Sequence, residues 1–375
     1  MKFTVSTKPL KNVTDLGIIK ANISKYYYRS SIVQITASRD TLKLNIEASG
    51  IKTRMTLKGS GDSDKPVTIM VECAKFKTLL NSIETDVVTL EFIEGGMYVH
   101  AGSSKFAISQ MVDSADVQLS EPIDQYQAAS TMTIKPEDWQ FIKDHQMYAI
   151  SGSENHPVYK HVWISENKDV IVGDYDLGIF TYSKRGDFGS TCLLSSSLIN
   201  LLTSIPEGST ISKVDRNYVL TISTDSYSMI TEFTPKYEDD EAVGSYNSEI
   251  ILGMLNHPEK YIKLEVSPII KFINQSAILS QTDADKILDF TIKDETLTLT
   301  NRTSSYSMPV SATDPYTVKF ATEFIKSVLS NFDSDEICIA PMTRDTTDED
   351  GKPTKMVIGC IFWTDTLTTV LAGQG

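Results

Sequence analysis

Cysteine is scarce in this chain. There are four in 375 residues, Cys73, Cys192, Cys338 and Cys360, and no two form a C-x-x-C pair. That excludes a disulfide-scaffolded domain and fits free thiols packed as small hydrophobes in a reducing compartment. Histidine is nearly as rare, with five. His156 and His161 have no further Cys or His at ligand spacing, so no metal site is expected. No apolar run approaches the roughly 20 residues of a membrane helix. Met1-Lys2-Phe3-Thr4-Val5 lacks the apolar block of a signal peptide. A cytoplasmic protein without a membrane partner is the expectation.

Catalytic signatures are missing too. Gly59-Ser60-Gly61-Asp62-Ser63-Asp64-Lys65 lacks the Gly-Lys-Ser/Thr ending of a phosphate loop. The run Asp345 to Gly351 has the wrong acidic spacing for a calcium loop and reads as a solvated hairpin tip. No G-x-S-x-G elbow occurs. The reading is therefore of a non-enzyme that needs no cofactor. Positive charge is also in deficit, with 35 Lys and Arg against 49 Asp and Glu and a net charge of −14. Such a chain is a poor non-specific DNA binder as a whole, but the sum does not describe the local surface.

What the chain does have is repetition. Phe76, Leu79, Leu80 and Ile83 follow the i, i+3, i+4, i+7 spacing of one helix face. Leu198, Leu201, Leu202 and Ile205 repeat it, and so do Ile325, Val328, Leu329 and Phe332. Cys73, Ser195 and Thr322 precede these stripes as expected N-caps. Acidic hairpin turns at Asp40, Asp169 and Glu295 recur with the same period, about a third of the chain. A period that long means whole domains rather than solenoid units. Each repeat opens with a further amphipathic helix, over 8–23, 135–150 and 267–279. The polar stretch 118–130 and the acidic stretch 237–248 read as linkers, giving domains over 1–122, 131–240 and 248–375. The expected class is α+β, with antiparallel sheets covered by helices on one face.

The charge is unevenly spread. Residues 1–30 hold six basic side chains, among them Lys8, Lys11, Lys20 and Lys25, against Asp15 alone. Lys75, Lys143, Lys160, Lys271 and Lys326 lie on or beside the later helices. If the helices converge, these lysines make a basic lining that phosphates attract without any reading of sequence. The plainer alternative is the solvated faces of amphipathic helices, and acids beside Lys143 favour it in the second repeat.

Several segments resemble the β subunit of bacterial DNA polymerase III, the bacterial sliding clamp. They are Met1 to Val5, Ala74-Lys75-Phe76, Gly102-Ser103-Ser104-Lys105-Phe106, and Ser276-Ala277-Ile278-Leu279 with the alternating stretch to Leu299. Their order and threefold repetition span essentially the whole chain. Local divergence is large, which suits a phage-encoded or otherwise distant member. The resemblance implies three clamp domains per subunit and a head-to-tail homodimer, with helices lining a ring and sheets outside. Double-stranded DNA, a DNA polymerase and an ATP-dependent clamp loader would be its partners. Phe106 with Lys75 would meet Ile278 and Leu279 across the subunit interface. Tyr159 and Lys160 match a DNA-facing Tyr-Tyr pair with its second member replaced. A pocket for partner peptides would involve Gly173, Asp174, Tyr175 and Leu177, with Leu252 as a wall. In place of the family's short C-terminal tail this chain runs Cys360-Ile361-Phe362-Trp363 and continues, and Ile361 and Phe362 are expected to line the same pocket. The rival expectations are a β-rich structural or virion assembly protein without DNA dependence, and a hydrolase with scattered catalytic residues.

Overall fold

The computed structural model describes residues 1–17, 32–48, 51–111, 119–233, 245–347 and 352–374, apart from 124, 134, 151–155, 187, 204, 216, 281 and 312–313. Lys20 and Lys25 lie outside the described residues. Antiparallel strands form four sheets of five, eight, eight and four strands. The described helices are α1 (Thr7–Gly17), α2 (Cys73–Ser82), α3 (Pro136–His145), α4 (Ser196–Leu202), α5 (Ser248–Met254), α6 (Val266–Leu279) and α7 (Thr322–Ser330).

The apolar stripes become the buried faces of α2, α4 and α7. Phe76 and Leu80, Leu198 and Leu202, and Ile325, Val328 and Leu329 are all buried. The expected caps are not all used. Cys73 and Thr322 are the first residues inside their helices, and Glu72 and Ala321 before them make no side-chain cap bond. The Thr322 hydroxyl donates instead to the Lys286 carbonyl at 2.6 Å. The helix expected over 135–150 stops at His145 and resumes as a short 3-10 turn, Met147–Ala149. Gln146 at the break is fully buried. Its side-chain amide donates to the Val170 carbonyl and its side-chain oxygen accepts from the Ser183 hydroxyl, bonds that tie the residue to neighbouring strands.

By compactness the chain forms two units, and their border cuts the stretch 131–240 several times as well as falling at Asp239 and Asp240. The first holds Met1–Trp139, Gly186–Ser190 and Ser197–Asp239. The second holds Gln140–Arg185, Thr191–Ser196 and Asp240–Gly375.

In the first unit, strand Tyr227–Phe233 pairs along its whole length with Ile51–Lys58. This joins distant parts of the chain into one eight-stranded sheet. At its centre the buried Thr53 and Thr231 hydroxyls lie 3.1 Å apart. The five-stranded sheet runs from the short edge strand Ser60–Gly61 through Lys2–Ser6 to the edge strand Ser104–Ser109. Its inward residues, among them Phe3, Val5, Leu90 and Val99, are buried, as a two-residue period requires.

Glu91 sits on the outer face of that sheet. His100 Nε2 lies 2.8 Å from its carboxylate, Lys105 Nζ 3.3 Å and Lys2 Nζ 3.6 Å. Hydrogen bonds from His100 and then Lys105 hold the Glu91 carboxyl down from 4.5 to about 2. A carboxyl lowered on folding stabilises the fold above its unfolded pKa, and that contribution is lost as pH falls through the folded value. Glu91→Gln should therefore leave stability less dependent on pH between about 4.5 and about 2 than the unaltered chain. Acid titrations of the two proteins by circular dichroism check this, and superimposable acid limbs would contradict it.

In the second unit, Asp294 and Glu295 both take positive φ, 50° and 58°, between strands Ile287–Lys293 and Thr296–Thr300. Two consecutive left-handed residues match the twist of a tight hairpin. The resulting four-stranded sheet ends at the edge strand Ser305–Pro309. The second eight-stranded sheet carries a core on each face. Phe362 and Cys360 pack with the buried sides of α6 and α7, and Ile361 and Trp363 pack with Tyr159, Tyr246 and α5.

One hairpin of this sheet outruns its neighbours. Strands Glu336–Thr347 and Pro353–Trp363 pair with each other down to Thr347 and Pro353. Strand Ile262–Glu265 reaches only Ile339, and strand Thr368–Ala372 reaches only Gly359. Five pairs, Thr343 with Val357 to Thr347 with Pro353, thus form a two-stranded arm beyond a register shift at Met342 and Thr343. At about 3.3 Å per residue its length is on the order of 15 Å.

Candidate functional site

The residues singled out from sequence fall on three kinds of surface. The first is basic. Lys8 on α1, Lys75 on α2, Lys143 on α3, Lys271 on α6 and Lys326 on α7 are all exposed. Within the first unit α1 packs on α2, and within the second α6 packs on α7. Each pair thus presents lysines from two neighbouring helices. Lys75 is already engaged, 2.6 Å from Glu72. Lys11 donates to the Ile83 carbonyl, tying α1 to the end of α2. Lys160 is half-buried. Tyr159, expected at DNA, is instead 3% exposed in an aromatic core.

The second surface is apolar and exposed. On α6, Val266, Ile269, Phe272, Ile273 and Ser276 turn inward. Ile278 and Leu279 fall off that stripe and stand 83% and 55% exposed. Ile278 closes a shallow concavity of about 400 Å³ along α6, with Ser267, Ile270, Lys271, Asn274 and Gln275. Phe272 stacks on Tyr306 of the edge strand Ser305–Pro309, with ring centres 5.6 Å apart. In the other unit, Phe106 lies on edge strand Ser104–Ser109 and is 38% exposed. Its pleat points it to the core side, where no further strand covers it among the described residues.

The third surface surrounds an aromatic cluster in the second unit. Tyr159 stacks on Tyr175 with centres 5.3 Å apart and lies 4.8 Å from Tyr246. Tyr246 in turn stacks on Trp163. Burial pushes the Tyr159 and Tyr246 hydroxyls above the usual phenol range. Gly173 and Asp174 end a buried strand, and Asp174 Oδ1 accepts the Leu177 N–H at 2.9 Å. That bond shapes the turn on which Tyr175 and Leu177 are exposed, at 51% and 42%. His156 Nε2 lies 3.4 Å from Asp176 Oδ1 beside it. Leu252 and Met342 are half-buried against the same cluster.

One expectation here needs correction. Ile361 and Phe362 do not share a wall, because the pleat sends them to opposite faces of the sheet. The last strand is Thr368–Ala372, between Ile179–Lys184 and Pro353–Trp363, with Val370 in the aromatic cluster. Tyr246 was missed, since one tyrosine beside an acidic linker carries no periodic signal. Among the described residues no group of three or more His, Cys, Asp or Glu could hold a metal.

No protein-family model and no curated protein matches the sequence. Solved structures do match the fold over its full length. The DNA polymerase III β subunit of Pseudomonas aeruginosa superposes with a TM-score of 0.74 at 12% identity, covering 100% of both chains. The β subunit from Thermotoga maritima gives 0.72 at 12%, covering 100% of this chain and 99% of that one. The chain has the sliding-clamp fold. A third similar structure, the Helicobacter pylori β clamp, gives 0.68 at 12% identity over 100% of both chains and was solved bound to a DNA ligase peptide.

Proposed function

We propose that the chain is one subunit of a ring-shaped DNA sliding clamp, a non-enzymatic processivity factor for a DNA polymerase. The observation that carries this reading is the exposure of Phe106 on an edge strand and of Ile278 and Leu279 on α6, in a full-length clamp fold. Large apolar groups exposed together mark an interaction surface. The edge with Phe106 and the edge beside Ile278 and Leu279 are different patches, so their contact is head-to-tail, and a suitable rotation closes it into a homodimeric ring. Open strand edges add unpaired backbone groups that a partner edge satisfies.

A closed ring is held on DNA by topology, so contacts to phosphate can be weak and screened by salt. The lysines on the exposed helix faces supply such contacts on an otherwise acidic chain. The surface around Tyr175, Leu177 and Leu252 tethers a polymerase segment and raises its local concentration at the primer end. An ATP-dependent loader opens the ring, and the protein acts in the cytoplasm.

Absolute mass by light scattering across a dilution series should give twice 41.7 kDa. After loading, the ring should stay on nicked circular DNA and run off linear DNA. A monomer at every concentration, or equal loss from both DNAs, would overturn the reading. Lys271→Glu with Lys326→Glu should flatten the salt dependence of DNA binding. Each lost phosphate contact removes about 0.9 from the logarithmic slope, so the change is about 2. An unchanged slope would move the DNA contact to other lysines.

A further inference from the structure

The arm and the Tyr175 turn flank the same end of the second unit's sheet. The Ala372 N–H donates to the Gly178 carbonyl at 3.0 Å, and Ala372 pairs with Gly359 on its other side. There the chain turns away. The Gly373 N–H still reaches the Ile358 carbonyl, but the Gln374 N–H bonds to the Lys319 carbonyl on another strand. Beyond Ile358 the edge of Pro353–Val357 that faces this place has no strand beside it among the described residues.

The arm's side chains suit an occupant. Met342, Arg344 and Thr346 share a face by the two-residue period. Arg344 is paired with Met356, so these two side chains are neighbours on that face. It is the face of the aromatic cluster, since Met342 packs against that cluster. Met356 is 54% exposed, and methionine adapts to varied apolar partners. Arg344 is exposed, and the arm's other charges among the described residues are Lys352, Lys355 and Asp345. The paired strand residues of the arm thus carry one net positive charge, Arg344 and Lys355 against Asp345, although the residues between them in sequence include Asp348, Glu349 and Asp350.

We propose that a partner protein adds an extended segment to this edge, as a strand continuing the line of Thr368–Ala372, with an apolar side chain on Met356 and a carboxylate reaching Arg344. Backbone pairing supplies affinity and the alternate side chains supply choice, as in strand addition generally. The inference rests on reading this side of the molecule as the partner-binding side, and it does not need the ring to close. Pro353 and Lys355 guard the far end of the edge, as exposed edges commonly are guarded. Met356 and Val357 carry no such guard.

The test is selection of a random twelve-residue peptide library on the full-length protein, followed by affinity measurement. Enriched peptides should alternate apolar and polar residues and carry an acidic residue. Arg344→Glu should weaken their binding about tenfold, the scale of one charge-assisted hydrogen bond, and replacing the peptide's acid by lysine should restore it. Methylating alternate backbone nitrogens of the peptide should abolish binding. Equal affinity for Arg344→Glu, tolerance of the methylated backbone, or no enrichment would each overturn the proposal. Retention of Arg344→Glu on circular DNA separates the two readings. If it slides while peptide binding is lost, both stand, and if the unaltered protein binds peptide but is not retained, only the ring fails.

Discussion

Ile278→Ala combined with Leu279→Ala should weaken subunit association about a hundredfold or more. Burying one large aliphatic side chain stabilises by about 1.5–3 kcal/mol. Truncating two at an interface therefore costs about 3 kcal/mol or more, and every 1.4 kcal/mol is about tenfold in Kd. The single subunit has little to lose, because both side chains lie outside the buried stripe of α6 and are 83% and 55% exposed. Thermal unfolding of the isolated subunit should hardly change while the dilution midpoint of the dimer rises. Retention on nicked circular DNA should fall in parallel, since an opened ring loses its only strong hold. Phe106→Ala should act in the same direction, and a double-mutant cycle with Ile278→Ala should show coupling if the two patches touch. An unchanged dilution midpoint for the double variant would remove Ile278 and Leu279 from the interface.

These exposures explain why some of the molecule is legible in sequence and some is not. The stripes at 76–83, 198–205 and 325–332 depend on residues a few positions apart, and such patterns survive in a single sequence. The hairpins turning near Asp40, Asp169 and Glu295 are equally local. The pairing of Tyr227–Phe233 with Ile51–Lys58 is not, because strands so far apart share no period. Periodicity therefore divides the chain into thirds while compactness divides it into two units. The site follows the same rule. Ile278 and Leu279 stand out through a short motif, and both are exposed. The burial of Tyr159 is not legible, because a tyrosine facing DNA and one facing a core look alike without the partner ring of Tyr246. The hairpin over 345–351 is legible, but the arm's length is not, since it depends on where neighbouring strands stop.

Gly173→Ala should damage the partner surface while sparing ring closure. Gly173 pairs with Phe180 across neighbouring strands. A Cβ on Gly173 would fall 2.0 Å from Phe180 Cδ1 and 2.9 Å from the Ile179 carbonyl oxygen. The ring cannot simply swing aside. Its centre lies 5.9 Å from Tyr159, which is packed between Tyr175 and Tyr246. Inserting even one methyl into a filled core costs about 1–3 kcal/mol. Relief requires Phe180 to push on Tyr159, and through it on the turn that exposes Tyr175 and Leu177. The second unit should lose that much stability in denaturant titrations, and affinity for polymerase segments should fall with it. Neither Ile278 nor Leu279 belongs to this cluster, so the dilution midpoint of the dimer should hold. Full stability in Gly173→Ala would mean that Phe180 has room to move, and the aromatic cluster would then be too loose to set the shape of the turn.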